Sequence, residues 1–198
     1  MKILLDNGHG QETAGKRSPD GSFREYAWAR EITRRIETEL RNRGFDVQRI
    51  VTEENDVPLS ERSRRVNEIC GRYGKENVIL VSVHVNAAKD GQWANARGWS
   101  AYTSKGETKS DKLANCLYFA AAEALPLGTK FRKDFSDGDA DWEENFWILR
   151  KTSCPAVLTE NLFMDNREDL AVLNSDEGKA AIVQLHVEGI IMYLKQCV

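Results

Sequence analysis

The sequence predicts an α/β protein in which one sheet is covered by helices. Short apolar runs with strand character alternate along the 198-residue chain with stretches of helical periodicity, an alternation typical of this fold class. Hydrophobic residues make up 41% of the chain and charged residues 30%, as in ordinary globular proteins. The length fits one domain over residues 1–198 with a sizeable core, and no linker, repeat or low-complexity tract divides it.

Six stretches are predicted as strands because they are short, mostly apolar and bounded by turn residues. They are residues 2–6, 45–51, 78–84, 98–103, 146–149 and 156–160. The strongest apolar run, "VILVSVHV", covers eight residues and is far too short to cross a bilayer, so no membrane segment is expected.

Four stretches have the periodicity of amphipathic helices. They lie at about residues 24–43 and 59–73, after Ser110, and after Ser175. Gly44 is placed to end the first helix, and Ser175 is a favourable N-cap for the last.

Two long loops, residues 7–22 and 127–145, are expected to be functional because such lengths are unusual in a compact domain. The second contains the acidic run "DFSDGDADWEE". Its aspartates from Asp137 onward resemble the start of an EF-hand calcium loop. Trp142 stands where that loop needs glycine, however, and Ile148 where it needs a bidentate glutamate. We therefore reject calcium binding by this run and predict a solvated rim loop at residues 134–144.

Charge and cysteine content exclude several classes of function. The net charge is −3 and the basic residues are scattered, so no nucleic-acid partner is expected. Cysteines 70, 116, 154 and 197 form no CxxC pair, which argues against a structural zinc or a redox motif. We expect reduced thiols, with Cys70 and Cys116 in the core.

The first residues also bear on where the protein is made. Lys2 is followed by three apolar residues before Asp6, which is not the pattern of a secretory signal. We therefore expect synthesis in the cytoplasm without a signal peptide, so that any action outside it requires release or export.

Two of the three histidines stand where parallel strands end. His9 lies between two glycines just after the first predicted strand, and His84 ends the third. Ligands of open α/β sheets collect beyond the carboxyl ends of the strands. His186 lies in the apolar stripe of the last helix and is predicted to be a packing residue.

Two histidines and one carboxylate are a common ligand set for catalytic zinc. Glu25 follows the glycine-rich loop and can fold back towards His9, although the helix dipole alone also favours a glutamate there. Glu160 ends the apolar run "PAVLTE" and is either a solvated strand end or the non-ligand base that metal-assisted hydrolysis needs. Asp6 either orients a ligand or caps a loop.

Six motifs in order carry a resemblance that covers nearly the whole chain. They are "LLDNGHG", "SPDGSFRE", "LSERSRRVNE", "LVSVHVNA", "ARGWSAYTS" and "ILRKTSCPAVLTENLFMDN". Together they resemble the zinc-dependent N-acetylmuramoyl-L-alanine amidases of the amidase-3 type.

The resemblance implies a phosphorylase/hydrolase-like fold: a mostly parallel six-stranded sheet with helices on both faces. It implies that His9, Glu25 and His84 bind one Zn²⁺ and that Glu160 is the catalytic acid/base. The implied reaction is hydrolysis of the amide between N-acetylmuramic acid and L-alanine in peptidoglycan or muropeptide fragments. Leu162 departs from the family, which has glycine before this Phe, and we expect it to reshape the wall of the cleft.

Two other functions remain open on sequence grounds. The same metal chemistry would cleave a peptide bond within the stem, and a chain without catalysis would be a module that binds wall fragments. A serine hydrolase is disfavoured because "GWSAY" lacks the second glycine of a nucleophile elbow. Trp93 and Trp142 lie in predicted loops, where packing is favoured over stacking on a sugar.

Overall fold

A six-stranded sheet organises the computed structural model, which describes residues 1–136 and 138–196. The strands are β1 (Lys2–Asn7), β2 (Val47–Arg49), β3 (Val78–Asn86), β4 (Ser100–Thr103), β5 (Trp142–Glu143) and β6 (Ala156–Phe163). Their order is β2-β1-β3-β6-β4-β5, and every neighbouring pair is parallel except β4 with β6. The predicted mostly parallel sheet is confirmed.

The helices cover both faces of this sheet, as predicted. They are α1 (Glu25–Asn42), α2 (Leu59–Tyr73), α3 (Lys109–Ala124), α4 (Trp147–Lys151), α5 (Arg167–Asn174) and α6 (Asp176–Gln196), with a 3₁₀ turn at Lys75–Asn77. Gly44 has a φ of 83° after α1, a left-handed conformation that glycine adopts without strain. The Ser175 hydroxyl accepts a 3.0 Å hydrogen bond from the Gly178 amide, as expected of an N-cap.

Alternation along the central strands divides the core into two layers. In β1, Ile3 and Leu5 pack with α1, α3 and α6, whereas Leu4 packs on the opposite face with α2 and α4. Strands buried on both faces are apolar without a break, which explains the run in β3. The result is a rigid sheet whose carboxyl edge is free to carry a site.

The prediction of a strand at residues 146–149 is wrong. Trp147–Lys151 is a short helix, and the edge strand is Trp142–Glu143 within the long loop. A run as short as "FWIL" has no periodicity that separates strand from helix. Helix α5 also escaped prediction. Its N-cap, Asn166, accepts hydrogen bonds from the amides of Glu168 and Asp169.

Asp137 of the acidic run and Cys197 lie outside the described residues. Cys70 and Cys116 are buried, as predicted, with exposed fractions of 4% and 2%. Within the described ranges, every helix is too short or too polar to cross a bilayer.

Candidate active site

The turn after β1 explains why a histidine stands between two glycines. A Cβ at Gly8 would lie 2.4 Å from the imidazole of His84, and one at Gly10 would lie 2.1 Å from the Asp56 amide nitrogen. Side chains at both positions are therefore excluded by close approach. His9 itself has a φ of 59°, in the left-handed region. The turn that carries His9 therefore packs closely against His84 of β3 and against the loop before α2.

The structure brings His9, Glu25 and His84 together, although they are far apart in the chain. One ligand atom from each lies within 4.8 Å of the others. Nδ1 of His84 is 3.1 Å from Oε1 of Glu25, and Nε2 of His9 is 3.5 Å from Oε2. The two imidazole rings meet edge to face, with centroids 5.1 Å apart.

Glu25 shows that this cluster suits a metal ion. Its side chain is buried in the first turn of α1, and Oε1 also accepts a 3.0 Å hydrogen bond from the Val85 amide. Its Oε2 is buried and has no hydrogen-bond partner among the described residues. A buried carboxylate oxygen without a donor is costly, and two imidazoles with one carboxylate are the donors of many catalytic zinc sites.

The pKa shifts favour the deprotonated ligand form at His9 and Glu25 but not at His84. Burial lowers the pKa of His9 to about 4, so its imidazole is neutral at pH 7. Burial alone would raise the pKa of Glu25. The hydrogen bond and charge of His84 lower this pKa by more, so that the net shift is downward. Burial lowers the pKa of His84, as it does that of His9. The hydrogen bond and charge of Glu25 raise the pKa of His84 by more, so that its net shift is upward. A metal ion bound here would compete with the proton on His84, because an imidazole ligand binds metal in its neutral form.

Glu160 reaches the same place from the neighbouring strand. It is the register partner of His84 across β3 and β6, and its Oε2 is buried without a hydrogen-bond partner among the described residues. Burial raises its pKa to about 7, and the Glu25 carboxylate adds to that rise. A carboxyl group with such a pKa both accepts and donates a proton near neutrality.

A cleft of about 520 Å³ is lined by His9, His84 and Glu160, whereas Glu25 is fully buried and does not line it. Its other lining residues are Asp6, Lys16, Asp56, Val57, Pro58, Leu59, Arg62, Phe146, Trp147, Ile148 and Leu158. Leu59 and Trp147 are exposed by 53% and 39%, so they give the cleft an apolar rim. Sequence reasoning missed Trp147 because it placed that residue in a strand.

Comparison with known proteins identifies the family. A family model described as N-acetylmuramoyl-L-alanine amidase matches residues 3–192. The chain belongs to this amidase family. It is therefore an N-acetylmuramoyl-L-alanine amidase by class, acting on peptidoglycan.

Relatives and solved structures agree with that membership. The endolysin of Bacillus phage SPP1 is 29% identical over 201 residues, which cover 98% of this chain and 67% of the endolysin. The amidase AmiA of Escherichia coli K12 is 24% identical over 224 residues, with coverages of 96% and 75%. A crystal structure of an N-acetylmuramoyl-L-alanine amidase from Clostridium difficile 630 superposes with a TM-score of 0.81 at 22% identity, covering 98% of this chain and 96% of the other. The catalytic domain of CwlV from Bacillus (Paenibacillus) polymyxa gives 0.80 at 20% identity, with 98% of each chain covered.

An ionic network supports the part of the active site that contains His9. Arg62 is buried, and its Nη1 donates to Oδ1 of Asp6 at 2.7 Å and to the Asn7 carbonyl at 2.6 Å. Its Nη2 donates to the His9 carbonyl at 3.0 Å. The other Asp6 oxygen accepts a 2.6 Å hydrogen bond from the Ser82 hydroxyl. Asp6 therefore joins β1 to α2 and β3 and supports the His9 turn from behind.

The role of Arg62 was missed, although its position held a signal. It lies on the same side of α2 as Val66 and Ile69, positions that the helical period turns towards the core. An arginine among such positions needs buried acceptors, which here are Asp6 and the backbone carbonyls of Asn7, His9 and Val57.

A network of neutral groups supports the part of the active site that contains Glu160. The Asn161 amide donates to the His84 carbonyl at 2.9 Å and to Oγ1 of Thr159 at 3.1 Å, and its Oδ1 accepts from the Trp99 indole at 2.9 Å. The Thr159 hydroxyl lies 2.9 Å from Nε2 of His186, whose Nδ1 bonds a carbonyl of its own helix. Since a carbonyl only accepts, Nδ1 carries the proton and Nε2 accepts from Thr159.

His186 is fully buried, as predicted for a packing residue. Burial lowers its pKa to about 4. It is therefore neutral at pH 7 and brings no charge to β6.

Leu162 does not form the cleft wall, so the expectation for this residue is wrong. It is 1% exposed and packs in the core shared with α1, α3 and α6. Its φ is 67°, at a bulge where the register between β3 and β6 shifts after Glu160. The family's glycine fits this left-handed position without strain, whereas leucine occupies it through the packing of its side chain.

Trp93 and Trp142 pack as predicted. Trp93 lies against the Arg167 guanidinium, 4.0 Å from the ring centroid, and contacts the core on the α1 face. Trp142 contacts the core on the opposite face.

Proposed function

We propose that the amidase uses one Zn²⁺ to hydrolyse the amide bond between N-acetylmuramic acid and the L-alanine of the stem peptide. The observation that carries this proposal is the meeting of His9, Glu25 and His84 beside Glu160, with His9, His84 and Glu160 lining one cleft. Family membership supports the choice of bond and of zinc.

His9, Glu25 and His84 would hold the ion through two imidazole nitrogens and a carboxylate. When bound, zinc supplies Lewis-acid polarisation of a carbonyl oxygen and makes water more acidic. The fit rests on the buried Glu25 oxygen without a donor and on neutral His9, since ligands must be deprotonated.

Glu160 would move the proton. Its carboxylate takes a proton from the attacking water, whose oxygen bonds to the lactyl carbonyl carbon. As the C–N bond breaks, the carboxyl group returns the proton to the alanine nitrogen, which leaves as an amine. Such transfers typically contribute 10²- to 10⁴-fold in rate, and Glu160 suits both directions because burial raises its pKa to about 7.

The rim of the cleft would position the substrate. Leu59 and Trp147 offer apolar surface to the sugar or the stem. Lys16 lines the same cleft and offers a cation to a stem carboxylate.

Digestion of purified muropeptides by the zinc-loaded protein tests the proposal. Mass spectrometry of the products should find an intact stem peptide with a free L-alanine amine. Cleavage within the stem would instead establish a peptidase. Equal loss of wall turbidity with the wild type and with Glu160→Ala would reject Glu160 as the base, and binding without any cleavage would establish a wall-binding module.

We also propose that the amidase reaches the wall after release or export from the cytoplasm, as a lysin does. The phage endolysin relative supports this route. Purified protein should lyse walls when added from outside, while the same chain expressed alone inside intact bacteria should leave them unlysed. Lysis by internal expression alone would contradict the proposal.

A further inference from the structure

A second group of acidic side chains lies where α3 begins beside β4 and β5. Asp111 is in the first turn of α3, and Asp139 and Asp141 directly precede β5. One carboxylate oxygen from each lies within 4.8 Å of the others. Unlike the active-site cluster, this group consists of oxygen donors alone.

Asp141 provides an independent sign that a ligand is needed here. Its side chain is buried, with 1% exposed, and Oδ2 accepts a 2.6 Å hydrogen bond from the Thr103 hydroxyl. Oδ1 of Asp141 and Oδ1 of Asp139 are buried and have no hydrogen-bond partner in the described part of the chain. A buried carboxylate oxygen with no donor carries a large desolvation cost.

The charge around Asp141 is correspondingly unbalanced. Burial raises the pKa of Asp141 to about 7, and the carboxylates of Asp139 and Asp111 add to the rise. Lys112 is exposed and lines the adjoining cavity, but it makes no ion pair with these carboxylates in the described structure. The cluster is therefore short of a positive charge.

We propose that Asp111, Asp139 and Asp141 bind a divalent cation of the calcium class. Ca²⁺ takes six to eight oxygen ligands, and carboxylates without nitrogen or sulfur donors favour such hard cations over zinc. Glu107 and Glu143 line the adjoining cavity of about 550 Å³ and offer further oxygens. The sequence led us to reject calcium on the EF-hand spacing alone, whereas this site takes one ligand, Asp111, from α3, which is distant in sequence.

The cation would fasten the acidic loop to α3. β5 begins directly after Asp141 and pairs with β4 along the edge of the sheet. The same loop contains Arg132, whose guanidinium lies 5.0 Å from the Phe163 ring centroid at the end of β6. Binding would therefore stabilise the edge of the sheet and the rim near Glu160 without entering the reaction.

Thermal unfolding of the full-length, zinc-loaded protein with and without Ca²⁺ tests the site. With Ca²⁺ at about 100 times its Kd, the wild-type Tm should rise by about 5–10 °C. Asp141→Asn and Asp139→Asn should each abolish the rise while the zinc content, measured by elemental analysis, stays at the wild-type level. Glu123→Gln is the matched control, because it removes an exposed carboxylate of α3 outside the cluster and should keep the full response.

Terbium provides a second readout that does not depend on stability. Tb³⁺ replaces Ca²⁺ at oxygen sites, and Trp142, adjacent to Asp141, should sensitise its emission. Added Ca²⁺ should quench the signal by displacement, and Mg²⁺ should compete more weakly. An absent signal together with an unchanged Tm in the wild type would overturn the proposal. So would equal responses from the wild type and Asp141→Asn. An Asp141→Asn protein that is more stable at every Ca²⁺ concentration would show that a proton, and not a cation, neutralises the cluster.

Discussion

The two halves of the active site are supported in different ways. The half that holds His9 rests on a buried ion pair between Arg62 and Asp6, 2.7 Å apart. The half that holds Glu160 rests on neutral groups, the amide of Asn161 and the hydroxyl of Thr159. Charge is thus concentrated behind the proposed ligands, whereas the groups that support β6 are neutral.

This difference has a physical reason. Ligands to a cation must be deprotonated and correctly oriented, and a buried ion pair fixes the backbone that carries His9. A full positive charge directly behind Glu160 would favour its carboxylate and depress its pKa. A neutral network holds β6 equally well in position, and the pKa of Glu160 stays near 7 because burial dominates.

The largest expected effect tests whether proton transfer by Glu160 is separate from metal binding. Glu160→Gln keeps the shape of the side chain but cannot accept the proton, so kcat should fall by about 10²- to 10⁴-fold. Zinc content should remain at the wild-type level, because Glu160 is not a proposed ligand. Glu144→Gln, an exposed change on the acidic loop, is the control and should leave kcat unchanged. Loss of zinc from Glu160→Gln would show that Glu160 also helps to bind the metal, so that the two halves are not distinct.

The ionic half should be more sensitive to removal of a single partner. Arg62→Met leaves Asp6 buried without its cation, so we expect a loss of about 3–5 kcal/mol in the free energy of unfolding. Urea denaturation measures it. Arg64→Met removes an exposed arginine of the same helix that pairs with Glu61 and should cost less than about 1 kcal/mol. Equal losses from the two variants would show that the Arg62–Asp6 pair has no special role.

The neutral half should reveal itself through acid sensitivity. Burial lowers the pKa of His186 to about 4 from 6.5, so the unfolded chain takes up a proton first as the pH falls. Stability from neutral His186 is complete above pH 6.5 and is lost towards pH 4, by about 3 kcal/mol in total. His186→Gln removes this titration, so its unfolding free energy should fall less than that of the wild type between these limits. Parallel pH profiles would show that His186 is not the titrating group.

The smallest effect concerns the bulge beside Glu160. Leu162 has a φ of 67°, which costs about 1–2 kcal/mol for a residue with a Cβ. Leu162→Gly should therefore be more stable than Leu162→Ala by about 1 kcal/mol, since both lose the side chain and only glycine relieves the strain. At Leu173, buried in helix α5, the order should be reversed. If alanine is also the better residue at 162, the bulge carries no strain.

Residue pattern was sufficient for the parts of the site that depend on strand ends. His9 and His84 follow apolar runs, and parallel strands carry their carboxyl ends to one edge. Helical periodicity likewise predicted α1, α2, α3 and α6 to within a few residues. Such features are local in sequence, so a single chain suffices to predict them.

The features that escaped prediction depend on contacts across the fold. Arg62 matters because it joins α2 to Asp6, Asn7 and His9, which lie more than fifty residues away in the chain. The carboxylates of Asp111 and Asp141 meet only when α3 lies beside the acidic loop. Edge strand β5 has two residues, too few for any periodic signal. No local rule contains this information.

The pairing of His84 with Glu160 across adjacent strands has a consequence for how new specificities arise. The spacing between these two groups is set by a backbone ladder deep in the scaffold, whereas Trp147 and Lys16, which line the cleft, stand outside that ladder. Loops can be exchanged, lengthened or redesigned for another wall chemistry while the reactive pair keeps its alignment. Recognition and bond cleavage are separable parts of this scaffold.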